Sequence, residues 1–364
     1  MFVIDKRFFK NFDWISFFLI IAISLFGLLF IFSATYKIEK LYSIFFKKQL
    51  FGIISGISLY LFFSLVDYRQ LIRFGYFLYF VVIGLLAFTI IKGSIGMGAQ
   101  RWINLIFFKV QPSELSKLLL PAFIVHFLRT QKDDFNFSFK DFIPILLTLT
   151  LNIILILKQP DLGTALILLF SGIIILWLAG IGKKFFIYST ITTLLLAPFL
   201  WAGLKPYQKN RVAVFLGQGE SKKERYQIEQ SHISIGSGRI FGKGFLQGTQ
   251  NKFMFLPESR TDFIFSVICE ELGFIGALFV IFLYMLLFIR IFLIIIKINS
   301  PFVQLFSIGI ILHIIISTIV NMCMVTGLLP IVGIPLPLMS YGLSNLWTIF
   351  ISLGCFHSIK IQNT

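Results

Sequence analysis

The sequence predicts an all-α, polytopic integral membrane protein of about ten transmembrane helices with one large extracytoplasmic loop. Three observations carry that expectation. Only 13% of the residues are charged while 57% are hydrophobic, and mean hydropathy is +0.91; soluble domains usually need about 25% charged residues to cover their surface. Apolar runs near 20 residues recur along the chain, long enough to cross a ~30 Å hydrocarbon layer as helices. A single long hydrophilic insertion, residues 205–262, interrupts them. Helices rather than strands follow because backbone in lipid must satisfy its hydrogen bonds within its own segment.

In chain order the expected spans are 14–34, 45–65, 72–91, 113–128, 142–157, 163–180, 185–204, 263–296, 303–326 and 339–358. The first, opening at Trp14, is longer than a signal-peptide core and reads as a retained helix. The fourth and fifth are short and can extend into their neighbours. The eighth is too long for one straight crossing, so its first turns stand proud of the membrane. With a cytoplasmic N-terminus, the inner segments hold thirteen basic residues against eight in the short outer loops. That bias runs in the positive-inside direction and makes both termini cytoplasmic. Residues 205–262 then lie outside, with ten basic and five acidic residues and the glycine-rich run "SIGSGRIFGKGFLQGTQ" at 234–250. Apolar and aromatic residues spread through it predict an ordered loop on the membrane surface.

The net charge of +16 fits anionic lipid headgroups, and no nucleic-acid motif accompanies it. Cys269, Cys323 and Cys355 sit in apolar stretches without metal-ligand spacing and read as small core residues.

Four stretches could carry chemistry. "LPESRTDFIFSVICEELGF", 256–274, gathers Glu258, Asp262, Glu270 and Glu271 at the mouth of the eighth span. Asp262 could simply open a helix, where an acid suits the N-terminal dipole. Glu270 and Glu271 lie two to three turns deeper, where acids are costly; they stand open between cavity polarity and structure. "QPSELSKLLLP", 111–121, puts Glu114 and Lys117 at i, i+3 on one helix face. They are either a neutralised packing pair or part of a polar cavity inside the bundle. "KQPDLGTA", 158–165, reads as a tight turn with Asp161 capping the next helix through the amide of Gly163 or Thr164. "GLLPIVGIPLPLMSYGLSN", 327–345, holds three prolines and predicts broken backbone buried in protein or lining a cavity. On the helix before it, His313 and Asn321 read as packing hydrogen bonders. The outer loop adds Lys205, Lys209, Arg211 and Lys243, cations suited to pyrophosphate, though loop charge is commonly solvation.

Taken together, eight stretches resemble the SEDS (shape, elongation, division and sporulation) family, the RodA/FtsW peptidoglycan polymerases. They are "RWINL" (101–105), "QPSELSKL" (111–118), "KQPDLGTA" (158–165), "KPYQKNRV" (205–212), "YQIEQSHISIGSG" (226–238), "GKGFLQGTQ" (242–250), "FLPESRTDFIFSVICEELGF" (255–274) and "GIPLPLMSYG" (333–342). The "KPYQ" and "GTQ" elements look like the elongation member.

The resemblance implies a lipid II glycosyltransferase in the bacterial cytoplasmic (inner) membrane, forming β-1,4 glycan strands at its outer face during cell elongation. It implies Asp262 as catalytic base and Glu114 and Lys117 as supports; Glu258, nearby in the same stretch, is a further supporting candidate as a cation or substrate contact. Arg101, Arg211, Lys243 and Gln230 are substrate-binding candidates. A divalent cation (Mg or Mn) is the expected cofactor, with no organic one. The expected partners are lipid II, a class B penicillin-binding protein transpeptidase and the rod-elongation complex. Replacing an α-linked pyrophosphate by a β-1,4 link inverts the anomeric carbon, so one positioned base suffices. A lipid II flippase, using the same charges in a midplane cavity, and a non-catalytic scaffold stand as alternatives. The chain departs from the family at Arg239 and Ile240, where glycine is common, at Arg260, where histidine is usual, and in "SYGLSN" for "SYGGSS".

Overall fold

The computed structural model describes residues 11–36, 42–96, 99–104, 109–132, 135–203, 206–218 and 222–363. Helices occupy all ten expected positions: α1 (Trp14–Thr35), α2 (Ile44–Leu65), α3 (Tyr68–Lys92), α4 (Pro112–Gln131), α5 (Phe139–Lys158), α6 (Leu162–Leu178), α7 (Lys183–Gly203), α11 (Ile264–Ile295), α12 (Pro301–Val325) and α13 (Leu343–Asn363). Of these, α1, α2, α3, α5, α11 and α12 are long and apolar enough to cross a membrane by themselves. Local signals set the starts. Ser43 accepts the Phe46 amide (3.1 Å) and Asp67 that of Arg69 (2.9 Å), while Pro112 and Pro301 open α4 and α12. The tenth helix begins at Leu343, not 339, because residues 327–342 stay irregular up to Gly342.

Small residues let the bundle close tightly. A Cβ added to Gly27 of α1 would lie 2.4 Å from the Met339 Cα, and one on Gly56 of α2 2.3 Å from the Phe350 ring of α13. At one end of the bundle Asp13 is held by Arg290 (2.8 Å) and Lys360 (3.6 Å). The start of α1 therefore meets the ends of α11 and α13.

The all-α expectation needs one addition. Between α3 and α4 lies a small antiparallel sheet, ordered β1 (Ser94–Gly96), β2 (Ala99–Asn104), β3 (Lys109–Val110). Its pairings include Ser94 with Trp102 and Ile103 with Val110. The hydrophilic insertion is ordered and largely helical, with α8 (Pro206–Phe215), α9 (Lys222–Gly238) and α10 (Thr249–Lys252). Ser231 docks α9 on the bundle, bonding the Ser266 hydroxyl and the Val325 carbonyl, both at 2.8 Å.

The eighth span is broken rather than merely long. Gly273 has φ 67° and ψ −158°, a region open essentially to glycine. From Phe274 to Ile295 there remain 22 residues, about 33 Å of helix and enough to cross. The break orphans backbone groups on both sides, and the outer loop takes them. The carbonyls of Glu270 and Glu271 accept from the amides of Lys243 (3.0 Å) and Gly244 (2.9 Å). The amides of Phe274 and Ile275 donate to the carbonyls of Arg239 (2.8 Å) and Ile240 (3.2 Å). Arg239 reaches this conformation with φ 50° despite its side chain.

The side chains of Glu270 and Glu271, 0% and 1% exposed, strengthen the same clasp. Glu270 accepts from Lys243 Nζ (2.6 Å), Thr249 Oγ1 (3.0 Å) and the Gln250 amide (3.1 Å). Glu271 accepts from Ser33 of α1. Both acids therefore fasten the loop to the bundle.

Gly273→Ala should lower thermal stability in detergent by several degrees or prevent folding, since its Cβ would sit 2.4 Å from the Gly242 amide nitrogen. Gly84→Ala, whose Cβ meets nothing within 4 Å, should be neutral or gain up to about 1 kcal/mol from helix propensity.

Candidate active site

Asp262 lies in the turn that leads into α11, between buried Leu256 and Phe263. The turn closes through the Thr261 amide, which donates to the Glu258 carbonyl at 3.1 Å. Glu258 itself has φ 54°, an uncommon conformation for a side-chain-bearing residue and one found most often where function demands it. Thr261 Oγ1 also reaches Glu258 Oε2 at 3.3 Å.

The carboxyl of Asp262 titrates at about 6, raised from 3.8. Burial is the main cause, and the neighbouring Glu258 charge adds to it. Arg101, Arg211 and a hydrogen bond with Thr261 oppose the shift. Charges from three elements, the turn, β2 and α8, thus act on this one carboxyl. The loop after α12 completes the rim, where a Cβ on Gly333 would lie 3.5 Å from Asp262 Oδ2.

Arg101 is held in turn by Asp161, Nη1 to Oδ1 at 3.6 Å. Asp161 caps α6 through the Thr164 amide (3.2 Å), one of the two amides expected. It does more than cap. Its Oδ2 accepts from Gln111 Nε2 (2.6 Å) and Ser113 Oγ (3.2 Å) at the start of α4. A capping motif alone gives no sign of this second role, since Gln111 is 50 residues away. Arg101 Nε is buried and has no hydrogen-bond partner among the described residues, leaving a donor for an anionic oxygen.

Deeper on α4, Glu114 and Lys117 pair at 2.8 Å, both nearly fully buried. They meet as the i, i+3 spacing predicts, and the lysine is committed to its glutamate. Neither is among the groups that act on Asp262, which are Glu258, Arg101, Arg211 and Thr261. Lys243 is engaged by Glu270 in the loop clasp. Gln230 is half-buried on α9 beside the docking residue Ser231, Lys209 bonds the Ala202 carbonyl at 3.1 Å, and Lys205 lies outside the described residues. Arg260, next to the site in sequence, stacks its guanidinium 4.0 Å over the Phe45 ring. Cys269 and Cys355 are buried, and all three cysteines are free thiols.

Among the described residues no three His, Cys, Asp or Glu side chains gather as a metal-binding group. A concavity of about 880 Å³ on the outer loop is lined by Ile233, Arg239, Phe241 and Lys243 among others. Its lining includes no carboxylate.

The chain is similar to known proteins over most of its length. The chain is 38% identical over 285 residues to the peptidoglycan glycosyltransferase MrdB of Escherichia coli K12, covering 78% of this chain and 76% of that one. It is 35% identical over 362 residues to MrdB of Helicobacter pylori J99, covering 98% and 92%. Among solved structures it superposes on a chain of a peptidoglycan synthase complex that coordinates polymerization and crosslinking, with TM-score 0.81, 27% identity and coverage of 97% and 98%. It also superposes on the rod shape determining protein RodA of Thermus thermophilus, with TM-score 0.72, 25% identity and 97% of each chain covered. The FtsW/RodA/SpoVE cell cycle protein family matches residues 13–364, and the chain belongs to that family.

Proposed function

We infer that this protein is a peptidoglycan glycosyltransferase that polymerises lipid II into β-1,4 glycan strands at the outer face of the cytoplasmic membrane. The observation that carries the assignment of the base is the carboxyl of Asp262, tuned to about 6. A general base works best when its pKa lies near the operating pH.

In this reading Asp262 takes the proton from the 4-hydroxyl of the acceptor disaccharide. The hydroxyl oxygen bonds to the donor's anomeric carbon as the bond to pyrophosphate breaks, with inversion. Arg101 and Arg211, whose charges act on the base, stabilise the negative charge that develops on the departing pyrophosphate. Glu258 keeps Asp262 from ionising too readily, and the two arginines keep it from staying protonated at neutral pH. A divalent cation such as Mg or Mn would supply further neutralisation of the pyrophosphate. Glu258 and the substrate's own phosphate oxygens suit it, since Mg²⁺ is commonly held by one or two carboxylates plus substrate phosphates.

The membrane orientation follows from charge. Asp13, Arg290 and Lys360 share one end of the bundle, which the positive-inside bias assigns to the cytoplasm together with both termini. Asp262 then opens outward, on the side where a class B penicillin-binding protein would crosslink the product. The likeness to a synthase complex that couples polymerization to crosslinking supports such a partner within the rod-elongation machinery.

Purified protein with its transpeptidase partner, given labelled lipid II, should yield long glycan polymer, and Asp262→Ala should lose about 10²–10⁴-fold of that activity. Polymer persisting in the variant would sink the base assignment; transport of lipid II across vesicles without polymer would favour a flippase instead. The pH profile of kcat/KM should fall below about 6, as Asp262 becomes protonated. Glu258→Gln should move that limb to lower pH, and Arg101→Ala or Arg211→Ala to higher pH. Stability has the opposite sense. The native state binds this proton more tightly than the unfolded chain, so the group's contribution is fully present below about 3.8 and lost as pH rises through 6. Asp262→Asn should therefore raise the Tm at pH 7.5.

A further inference from the structure

The turn that carries Asp262 shows its backbone oxygens to a neighbouring segment in an unusual run. Three consecutive carbonyls each accept a hydrogen bond from outside the turn. The Tyr341 amide donates to Arg260 O at 2.9 Å. The Ser340 hydroxyl donates to Thr261 O at 2.5 Å. The Asn321 side-chain amide donates to Asp262 O at 2.8 Å.

The donors are themselves fixed. Asn321 is 0% exposed and spends its other amide hydrogen on Ile334 O at 2.7 Å. The Ser340 hydroxyl accepts from the Leu336 amide at 2.8 Å, and Ser340 O accepts from the buried Gln49 Nε2 at 3.1 Å. Residues 334–342 are thus tied to α12 by Asn321 and to α2 by Gln49. Just before this segment, Gly333 (φ 73°) lies opposite the Asp262 carboxylate.

We propose that Asn321 and Ser340 are positioning residues for Asp262, acting through the backbone of residues 261 and 262 on the direction in which the carboxylate points. The inference rests on Asp262 being the base. The physical reason is that a turn before a helix has no repeating ladder to set its torsions. Carbonyls at the mouth of a site can also be satisfied by water in many orientations. A buried amide and a buried hydroxyl on adjacent carbonyls remove that freedom, and with it the rotation of the peptide planes flanking Asp262. A displacement of about 1 Å at a reacting group can cost about 10²-fold in rate.

The test uses the full-length protein with its transpeptidase partner and labelled lipid II. Ser340→Ala, which removes one oxygen, should lower kcat roughly 10- to 100-fold while KM and Tm stay close to the unsubstituted values; Asn321→Ala should do the same or more. In an Asp262→Asn background Ser340→Ala should reduce the residual activity no further, because there is no base left to position. Unchanged kcat in Ser340→Ala would overturn the proposal, and so would an equal further loss in the Asp262→Asn background. If Asn321→Ala does not fold, the Ser340→Ala pair of measurements decides alone. Should Asp262→Asn itself retain full activity, the base assignment fails, a result distinct from either outcome for Ser340.

Discussion

The arrangement of the hydrophilic loop on the bundle depends on one exchange of backbone hydrogen bonds, at the break in α11. A helix that simply continued through Gly273 would satisfy its own carbonyls and leave residues 239–244 without these backbone partners. Because the chain turns there, the carbonyls of Glu270 and Glu271 and the amides of Phe274 and Ile275 are released to residues 239–244. In an environment where unsatisfied backbone is costly, the loop's fold and the helix's break require each other. The two glutamates then add charge-assisted bonds to the same contact. The stretch that looked like a single acid cluster serves two purposes, with Asp262 facing the site and Glu270 and Glu271 fastening the loop.

This division also explains the site's electrostatics. The clasp consumes Lys243, and the α4 pair consumes both Glu114 and Lys117. What is left acting on Asp262 is a small set with opposed effects: Glu258 and burial raising its pKa, and Arg101 and Arg211 lowering it. The result lies near neutrality, between an ordinary aspartate and a fully buried acid. Arg101 belongs to a β-strand whose position is set by Asp161, so the start of α4, the start of α6 and the outer sheet are connected through that carboxylate.

How much of this was legible in the sequence varies by element. The long apolar helices were, since apolar length near 20 residues is a direct consequence of bilayer thickness. The irregular backbone at 327–342 was also legible, from its prolines and glycines. The small sheet was not, because "AQRWIN" is too short to register among long apolar runs. Nor was the kink. Gly273 sits in "EELGFIGAL", where an isolated glycine in an apolar helix is ordinary and nothing local requires a positive φ.

By itself the sequence determined the membrane-embedded helical class, the ten helical segments, the ordered hydrophilic insertion and, through its motifs, the family. These follow from residue type and local spacing. The tertiary structure alone decided which charges act together. Asp161 reaches Gln111 across 50 residues, Glu271 reaches Ser33 across 238, and Asn321 reaches the Asp262 carbonyl across 59. Such partnerships depend on how helices pack and where the backbone breaks, and neither is encoded in the immediate neighbourhood of the residues they join.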